Sequence, residues 1–227
     1  MLREIHEQNI VPYRYVLADC LYGESPEFIE TVESLTGKTY FVAVAFNTMC
    51  WLKSPLQKIK KYKHKGKVRT RKVLQEGAKK PMKVEDFARN LHETFWYRRT
   101  VSEGTKGPIE YEFTKRSITL SKKGLPWKTV WLVVKRTIEE HPVYSYYISN
   151  ASSSVRLKTF VWLSGVRWAI EQGFEETKTE LGMDQYEVRK YRGWNHHILI
   201  SMLTHFFLWH LKIRLGKKST VHYFIPA

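Results

Sequence analysis

Two short apolar runs on either side of a helical pattern constrain the fold most. Residues 15–18 and 40–46 have the length and composition of buried strands, and residues 26–35 between them have the pattern of a helix. Because the connections are short, this order favours parallel pairing of the two strands within an α/β layer. Residues 1–10 predict a further short helix, which Pro12 ends.

Asp19 directly follows the first predicted strand. Ligands bind at the carboxyl ends of strands in open α/β sheets, so Asp19 is a candidate catalytic carboxylate. The alternative is that Asp19 caps the loop or the helix that begins near Ser25 and Pro26.

A second candidate acid, Glu171, lies in a predicted helix that covers residues 164–178. One side of this helix collects residues expected to face the core, namely Val166, Ala169, Ile170, Gly173, Phe174, Thr177 and Leu181. Arg167, Glu171 and Lys178 form a polar stripe at the border of that side, which suits a metal ligand beside a phosphate. The alternative is an ordinary surface ion pair between Arg167 and Glu171.

The segment 58–72 contains nine cations among fifteen residues and no acid. Such a block repels itself, so we expect a mobile loop that phosphates would neutralise. A merely solvated loop is the alternative. The candidate phosphate-binding residues in this segment are Lys60, Lys61, Lys63, Lys65, Lys67, Arg69, Arg71 and Lys72.

The rest of the middle of the chain, to about residue 150, alternates turn signals with runs rich in aromatic and β-branched residues. This pattern predicts a mainly antiparallel sheet. The apolar run 198–211 is too short to span a bilayer and is expected to be a buried core helix, so no membrane partner is predicted.

The charge of the chain indicates a polyanionic partner. Thirty-eight Lys and Arg against 22 Asp and Glu give a net charge of +16, which favours nucleic acid. Cys20 and Cys50 are too few for a zinc site or a disulfide framework, and the N-terminus does not read as a signal peptide. We therefore expect a cytoplasmic protein associated with the nucleoid.

Three stretches together resemble a known family. They are Tyr13-Arg-Tyr-Val-Leu-Ala-Asp19-Cys-Leu-Tyr22-Gly23, the spacing Arg167-x3-Glu171-x6-Lys178, and the run from Phe174 to the closing Arg192-Gly193-Trp194. The chain resembles the DDE transposases of bacterial insertion sequences that carry a Tyr-Arg-Glu-Lys signature. The Tyr of that signature would fall at position 164, where this chain has Ser164.

The resemblance implies a ribonuclease H-like catalytic domain interrupted by a β-rich insertion, with residues 1–50 and 151–227 in the catalytic part and 51–150 in the insertion. Asp19 would be the second aspartate of the catalytic triad and Glu171 its glutamate. Both would bind Mg²⁺, with two ions in a complete triad, while Arg167 and Lys178 would hold phosphate. The implied function is DNA transposition by strand cleavage and transfer, with the element ends as partner and a homodimer in the synaptic complex as an option.

The first aspartate of the triad and three central strands of the family's sheet have no counterpart in this sequence. We therefore expect an incomplete ribonuclease H-like domain, a C-terminal fragment that is inactive alone, in which both predicted strands have one unpaired edge. The alternative function is that of a non-catalytic nucleic-acid-binding protein.

Overall fold

The structure, a computed structural model, describes residues 2–9, 11–104, 107–187 and 189–215, without the side chains of residues 103, 104 and 168. The helices in these ranges are α1 (Leu2–Gln8), α2 (Cys20–Gly23), α3 (Pro26–Ser34), α4 (Val84–Arg89), a 3-10 turn (Glu93–Phe95), α5 (Leu157–Leu181) and α6 (Tyr191–Arg214). The strands are β1 (Tyr15–Ala18), β2 (Thr39–Val44), β3 (Met49–Trp51), β4 (Gln57–His64), β5 (Lys67–Leu74), β6 (Met82–Lys83), β7 (Tyr97–Gly104), β8 (Gly107–Lys122), β9 (Leu125–Arg136) and β10 (Tyr144–Ser149).

The chain divides into two compact units. The first unit contains Met1–Arg99 and Glu110–Val161, and the second contains Thr100–Ile109 and Trp162–Ala227. The part of Trp162–Ala227 beyond residue 215 lies outside the described residues.

The predicted strand-helix-strand order is confirmed at the start of the chain. β1 and β2 pair in parallel, with Tyr15 opposite Thr39, and α2 and α3 connect them. Pro26 in the first turn of α3 and the side chain of Ser25, which accepts a hydrogen bond from the backbone N–H of Phe28, start that helix.

The antiparallel sheet predicted for the middle of the chain is also confirmed, but it joins β1 and β2 in one sheet. The strand order is β1-β2-β10-β9-β8-β3-β6, with β7 on β8. β10 pairs antiparallel with both β2 and β9. The expectation that the second strand has an unpaired edge is therefore wrong, because β10 occupies it, whereas β1 ends the sheet in the described part of the chain.

β2 is buried on both faces, which explains its nearly continuous apolar sequence. Ile29 and Val32 of α3 share one core cluster with Tyr40. On the opposite face, Phe41 lies 5.7 Å, centroid to centroid, from Phe160 at the start of α5. The first unit therefore has helices on both sides of the sheet.

The basic segment is not a loop, contrary to the sequence-based expectation. β4 and β5 form an antiparallel hairpin, whose turn residues Lys65 and Gly66 have φ values of 49° and 76°. Two such residues give the turn type that matches the twist of a hairpin. The exposed side chains project into water, which screens their charges, so their mutual repulsion does not prevent the backbone ladder from forming.

The helix predicted around Glu171 is confirmed as part of α5, but its predicted core side is wrong at two positions. Ile170 and Phe174 are 53% and 44% exposed. A polar residue of α5, Glu176, contacts α6 and accepts a hydrogen bond from Trp209 Nε1 at 3.4 Å.

The prediction that residues 198–211 form a buried helix is also wrong. Within α6, Ser201 is the buried residue, while Phe206 is 70% exposed. The stripe that contacts the rest of the second unit consists of polar and aromatic residues four apart, including His197, His205 and Trp209. None of the helices in the described ranges combines the length and the apolar character needed to cross a membrane.

Candidate functional site

Asp19 occupies the position that the sequence predicts, directly after the last residue of β1. Its Oδ1 accepts hydrogen bonds from the backbone N–H groups of Leu21, at 3.1 Å, and Tyr22, at 3.5 Å. The side chain is exposed and caps α2, so the helix-capping alternative is confirmed, although for α2 instead of the helix near Ser25. Capping uses one carboxylate oxygen and does not by itself exclude a ligand on the other.

Gly23 holds α2 directly against the sheet. It is buried, and a Cβ atom at this position would lie 1.8 Å from the carbonyl oxygen of Ala43 in β2. No residue with a side chain fits that space. The backbone N–H of Gly23 also donates to the carbonyl oxygen of Asp19 at 3.0 Å. The sequence marks this residue only as a turn, whereas the structure shows that it positions the segment that follows Asp19.

Glu171 and Arg167 are brought together on α5. Glu171 Oε1 accepts from Arg167 Nε at 3.3 Å and from Nη2 at 3.1 Å, one helical turn apart. The side chain of Glu171 is 61% exposed and that of Arg167 28% exposed. The ion-pair alternative is thus observed, and such a pair contributes a few tenths of a kcal/mol. Lys178 is exposed two turns further along.

Asp19 belongs to the first unit, whereas Glu171, Arg167 and Lys178 belong to the second. Among the described residues, no group of three or more His, Cys, Asp or Glu side chains could hold a metal ion. The assignment of Asp19 and Glu171 as metal ligands therefore stays a prediction.

Glu176, His205 and Trp209 connect α5 to α6 near the candidate glutamate, and sequence reasoning missed this contact. Glu176 Oε2 lies 4.0 Å from His205 Nε2 and accepts from Trp209 Nε1. His205 also lies close to Gly173 of α5, where an added Cβ would stand at an ordinary contact distance of 3.6 Å from His205 Nε2. The only sequence feature that indicates this contact is the spacing of His205 and Trp209 by one helical turn, which places both on the same face of α6.

The run after α5 packs onto the start of α6. The ring of Tyr186 stacks on His197 at 4.6 Å, and His197 Nε2 lies 3.0 Å from the carbonyl oxygen of Gly182. At Gly193 an added Cβ would lie 2.4 Å from Tyr186 Oη. The Arg192-Gly193-Trp194 motif therefore requires a glycine at its centre, because Tyr186 of the preceding loop packs directly against it.

Lys115 holds the segment before α5 in place, a role that the sequence did not indicate. Its Nζ donates to the carbonyl oxygen of Val155 at 2.8 Å and lies 4.2 Å from the ring centroid of Trp131. Burial lowers the pKa of this ammonium group. Lys115 therefore ties the segment that precedes α5 to the centre of the sheet.

The eight cations predicted to bind phosphate all lie on the exposed β4–β5 hairpin and its turn. They are Lys60, Lys61, Lys63, Lys65, Lys67, Arg69, Arg71 and Lys72. Lys58 at the base of the hairpin lies 3.7 Å from Glu76. The guanidinium of Arg71 lies 5.5 Å from the ring centroid of Tyr62. These positive charges therefore lie on a two-stranded antiparallel hairpin and not on a loop.

The comparison with protein families agrees with a mixed α/β domain of this kind. The family model described as the transposase DDE domain matches residues 1–207, and the chain therefore belongs to this family. Among curated proteins, none matches the chain. Membership relates the chain to DNA transposition and implies a DNA partner, and DDE transposases typically use divalent metal ions.

Proposed function

We propose that the chain forms part of the catalytic domain of an insertion-sequence transposase, which cleaves and transfers DNA strands. The observation that carries this proposal is the family match over residues 1–207. The assignment to the group with a Tyr-Arg-Glu-Lys signature rests on the spacing of Arg167, Glu171 and Lys178, with Ser164 in place of the Tyr. A ribonuclease H-like fold, with residues 51–150 inserted between 1–50 and 151–227, belongs to the same proposal.

In this proposal, Asp19 and Glu171 are metal ligands. Both side chains are exposed carboxylates, and the described hydrogen bonds engage only Oδ1 of Asp19 and Oε1 of Glu171. The donor chemistry fits Mg²⁺, which typically binds to one or two carboxylates together with substrate phosphates. Bound Mg²⁺ would stabilise negative charge on the attacking and leaving oxygens of phosphoryl transfer.

Arg167 and Lys178 have distinct roles beside Glu171. The planar fork of Arg167 holds Glu171 Oε1 and retains donors for a phosphate, while Lys178 offers a point charge. The resemblance assigns two acids of a three-acid site to this chain. We therefore expect the chain by itself to bind DNA without cleaving it.

The partners and location follow from the same family. The DNA partner would be the ends of the mobile element, held by a homodimer in a synaptic complex. Such a protein would act on the nucleoid in the cytoplasm.

Iron-directed cleavage of the polypeptide tests the metal site without requiring catalysis. Fe²⁺ bound in place of Mg²⁺ reduces peroxide formed from dissolved oxygen to hydroxyl radicals, which cut the backbone near the metal, and ascorbate regenerates the Fe²⁺. If Asp19 and Glu171 share a site, cuts appear near both residues, excess Mg²⁺ suppresses both, and Asp19→Asn alone removes both. Asp184→Asn is the control, since it removes one exposed acid outside the proposed site. Cuts near only one of the two acids would refute the shared site.

A non-catalytic nucleic-acid-binding protein is the second candidate. It is favoured by the observation that both acids already have structural partners, Asp19 at the start of α2 and Glu171 beside Arg167. This candidate predicts DNA binding that is independent of Mg²⁺ and unchanged by Asp19→Asn and Glu171→Gln. It also predicts no iron-directed cuts near either acid.

A further inference from the structure

The basic hairpin has two faces of different composition. Directly opposed residues of an antiparallel ladder share a face, and successive residues alternate between faces. The register places on one face, here called the arginine face, Lys58, Lys60, Tyr62, His64, Lys67, Arg69, Arg71 and Val73. It places on the other, here called the mixed face, Gln57, Ile59, Lys61, Lys63, Val68, Thr70, Lys72 and Leu74.

The arginine face contains one directly opposed Lys–Arg pair. Lys60 lies opposite Arg71, and Arg69 lies opposite Tyr62, whose ring is also in contact with Arg71. Like charges directly opposite one another destabilise a hairpin. The arrangement is therefore unfavourable for the hairpin alone and becomes favourable when a polyanion lies across this face.

The mixed face avoids such pairs. Lys61 lies opposite Thr70, Lys63 opposite Val68, and Lys72 opposite Ile59, so each cation has an uncharged partner. Ile59 and Val68 are 70% and 64% exposed. Both arginines of the hairpin are on the arginine face, and the planar guanidinium is the side chain best suited to phosphate oxygens.

The shape of the hairpin suits a groove of duplex DNA. A two-stranded β-ribbon fits the major groove, which is about 12 Å wide. Each strand has eight residues, which at about 3.4 Å per residue gives a length near 27 Å. All residues of both strands up to Lys72 are exposed, so this surface is accessible in the described part of the chain.

We infer that the arginine face lies along the major groove of duplex DNA, with Lys60, Arg69 and Arg71 on phosphate oxygens at its border, and that the mixed face points away from the DNA. The inference rests on the proposed function and specifies which surface of the chain meets its DNA partner. It requires no contribution from Asp19 or Glu171.

Two charge-matched triple variants of the full chain test the inference. Lys60→Gln/Arg69→Gln/Arg71→Gln changes the arginine face, and Lys61→Gln/Lys63→Gln/Lys72→Gln changes the mixed face, so each loses three positive charges. Binding to a fluorescent duplex is measured as a function of salt concentration, and far-UV circular dichroism and thermal unfolding verify that both variants fold.

The salt dependence gives the expected magnitude. Each phosphate contact contributes about 0.9 to the slope of log K against log salt, so three lost contacts lower the slope by about 2.7. Over a fourfold change in salt, this difference amounts to about 40-fold in affinity. The mixed-face variant should retain most of the wild-type slope. Duplex RNA of the same sequence should bind more weakly than DNA, since its major groove is narrow and deep.

The outcomes separate the inference from the proposed function. Equal losses in the two variants, or a larger loss in the mixed-face variant, would refute the face assignment while DNA binding stands. Equal affinity for duplex RNA or for single-stranded DNA would refute the placement in a DNA groove. A wild-type chain that does not bind duplex DNA would overturn the proposed function as well.

Discussion

Replacing Gly23 with Ala tests how the structure positions Asp19. The added methyl carbon would lie 1.8 Å from the carbonyl oxygen of Ala43, 3.0 Å from its carbonyl carbon and 3.3 Å from Val44 Cγ1. An ordinary close C···O contact is about 3.3 Å, so α2 and β2 must separate by roughly 1.5 Å. The opposing atoms are mostly backbone and cannot turn away as a side chain can.

We expect Gly23→Ala to lower the free energy of unfolding by about 3 kcal/mol, at the upper end of the usual cost of overpacking. With an m-value of about 2 kcal/mol/M in urea, the unfolding midpoint would fall by about 1.5 M. Amide hydrogen exchange should also accelerate in β2, because α2 no longer packs on it.

The control is Gly173→Ala in α5. Its added Cβ would meet only His205 Nε2, at an ordinary 3.6 Å, and Ala is favoured over Gly inside a helix by about 1 kcal/mol. The two glycine substitutions should therefore change stability in opposite directions. A midpoint for Gly23→Ala within about 0.3 M of wild type would refute the close approach of α2 to β2.

Three further predictions test other contacts. Gly193→Ala should cost about 1–2 kcal/mol through its clash with Tyr186 Oη, and adding Tyr186→Phe should restore part of that loss in urea unfolding; additive losses would contradict the contact. Asp19→Ala should cost about 1 kcal/mol as a lost helix cap, whereas Asp19→Asn should be nearly neutral because Asn caps as well; equal losses would contradict capping. Burial raises the pKa of Cys50 to about 11 from 9.0, so the folded chain keeps a proton that the unfolded chain releases, and stability should fall as pH rises from 9 to 11. Cys50→Ala should flatten this part of the pH profile, and an unchanged profile would contradict the assignment to Cys50.

The parts of the fold that depend on local sequence could be predicted. β1, α3 and β2 follow from short apolar runs, a capping serine and a proline in the first helical turn, all within about 30 residues. The position of Asp19 after β1 follows from the same pattern. Local periodicity is sufficient wherever an element forms by itself and pairs with the next.

Pairing between distant segments could not be predicted. β10 reaches the free edge of β2 across about 100 residues, and the backbone N–H of Tyr40 donates to the side-chain oxygen of Asn150 at 2.9 Å. No periodicity in either segment specifies the other. Closing such a loop costs entropy that only the completed sheet offsets.

Two predictions from composition were wrong: apolar content was taken to mean burial, and high charge was taken to mean a mobile loop. The apolar run of α6 indicated a core helix, yet its buried residue is Ser201, and polar and aromatic residues such as His205 and Trp209 make the contacts to α5. The charge of β4 and β5 indicated a loop, yet strands tolerate exposed cations when each residue projects into water. Both errors come from counting residue types without assigning them to a face.

The structural roles of the two candidate acids and their proposed chemistry are compatible. Asp19 caps α2 through Oδ1, and Glu171 pairs with Arg167 through Oε1, so each bond restricts a side chain while leaving a second oxygen for another ligand. A metal ligand benefits from such support, since a fixed rotamer lowers the entropy lost on binding. Structural partners at these acids therefore do not exclude catalysis. The isosteric changes Asp19→Asn and Glu171→Gln are the informative ones, because they retain most of the local packing and remove the charge that a metal ion requires.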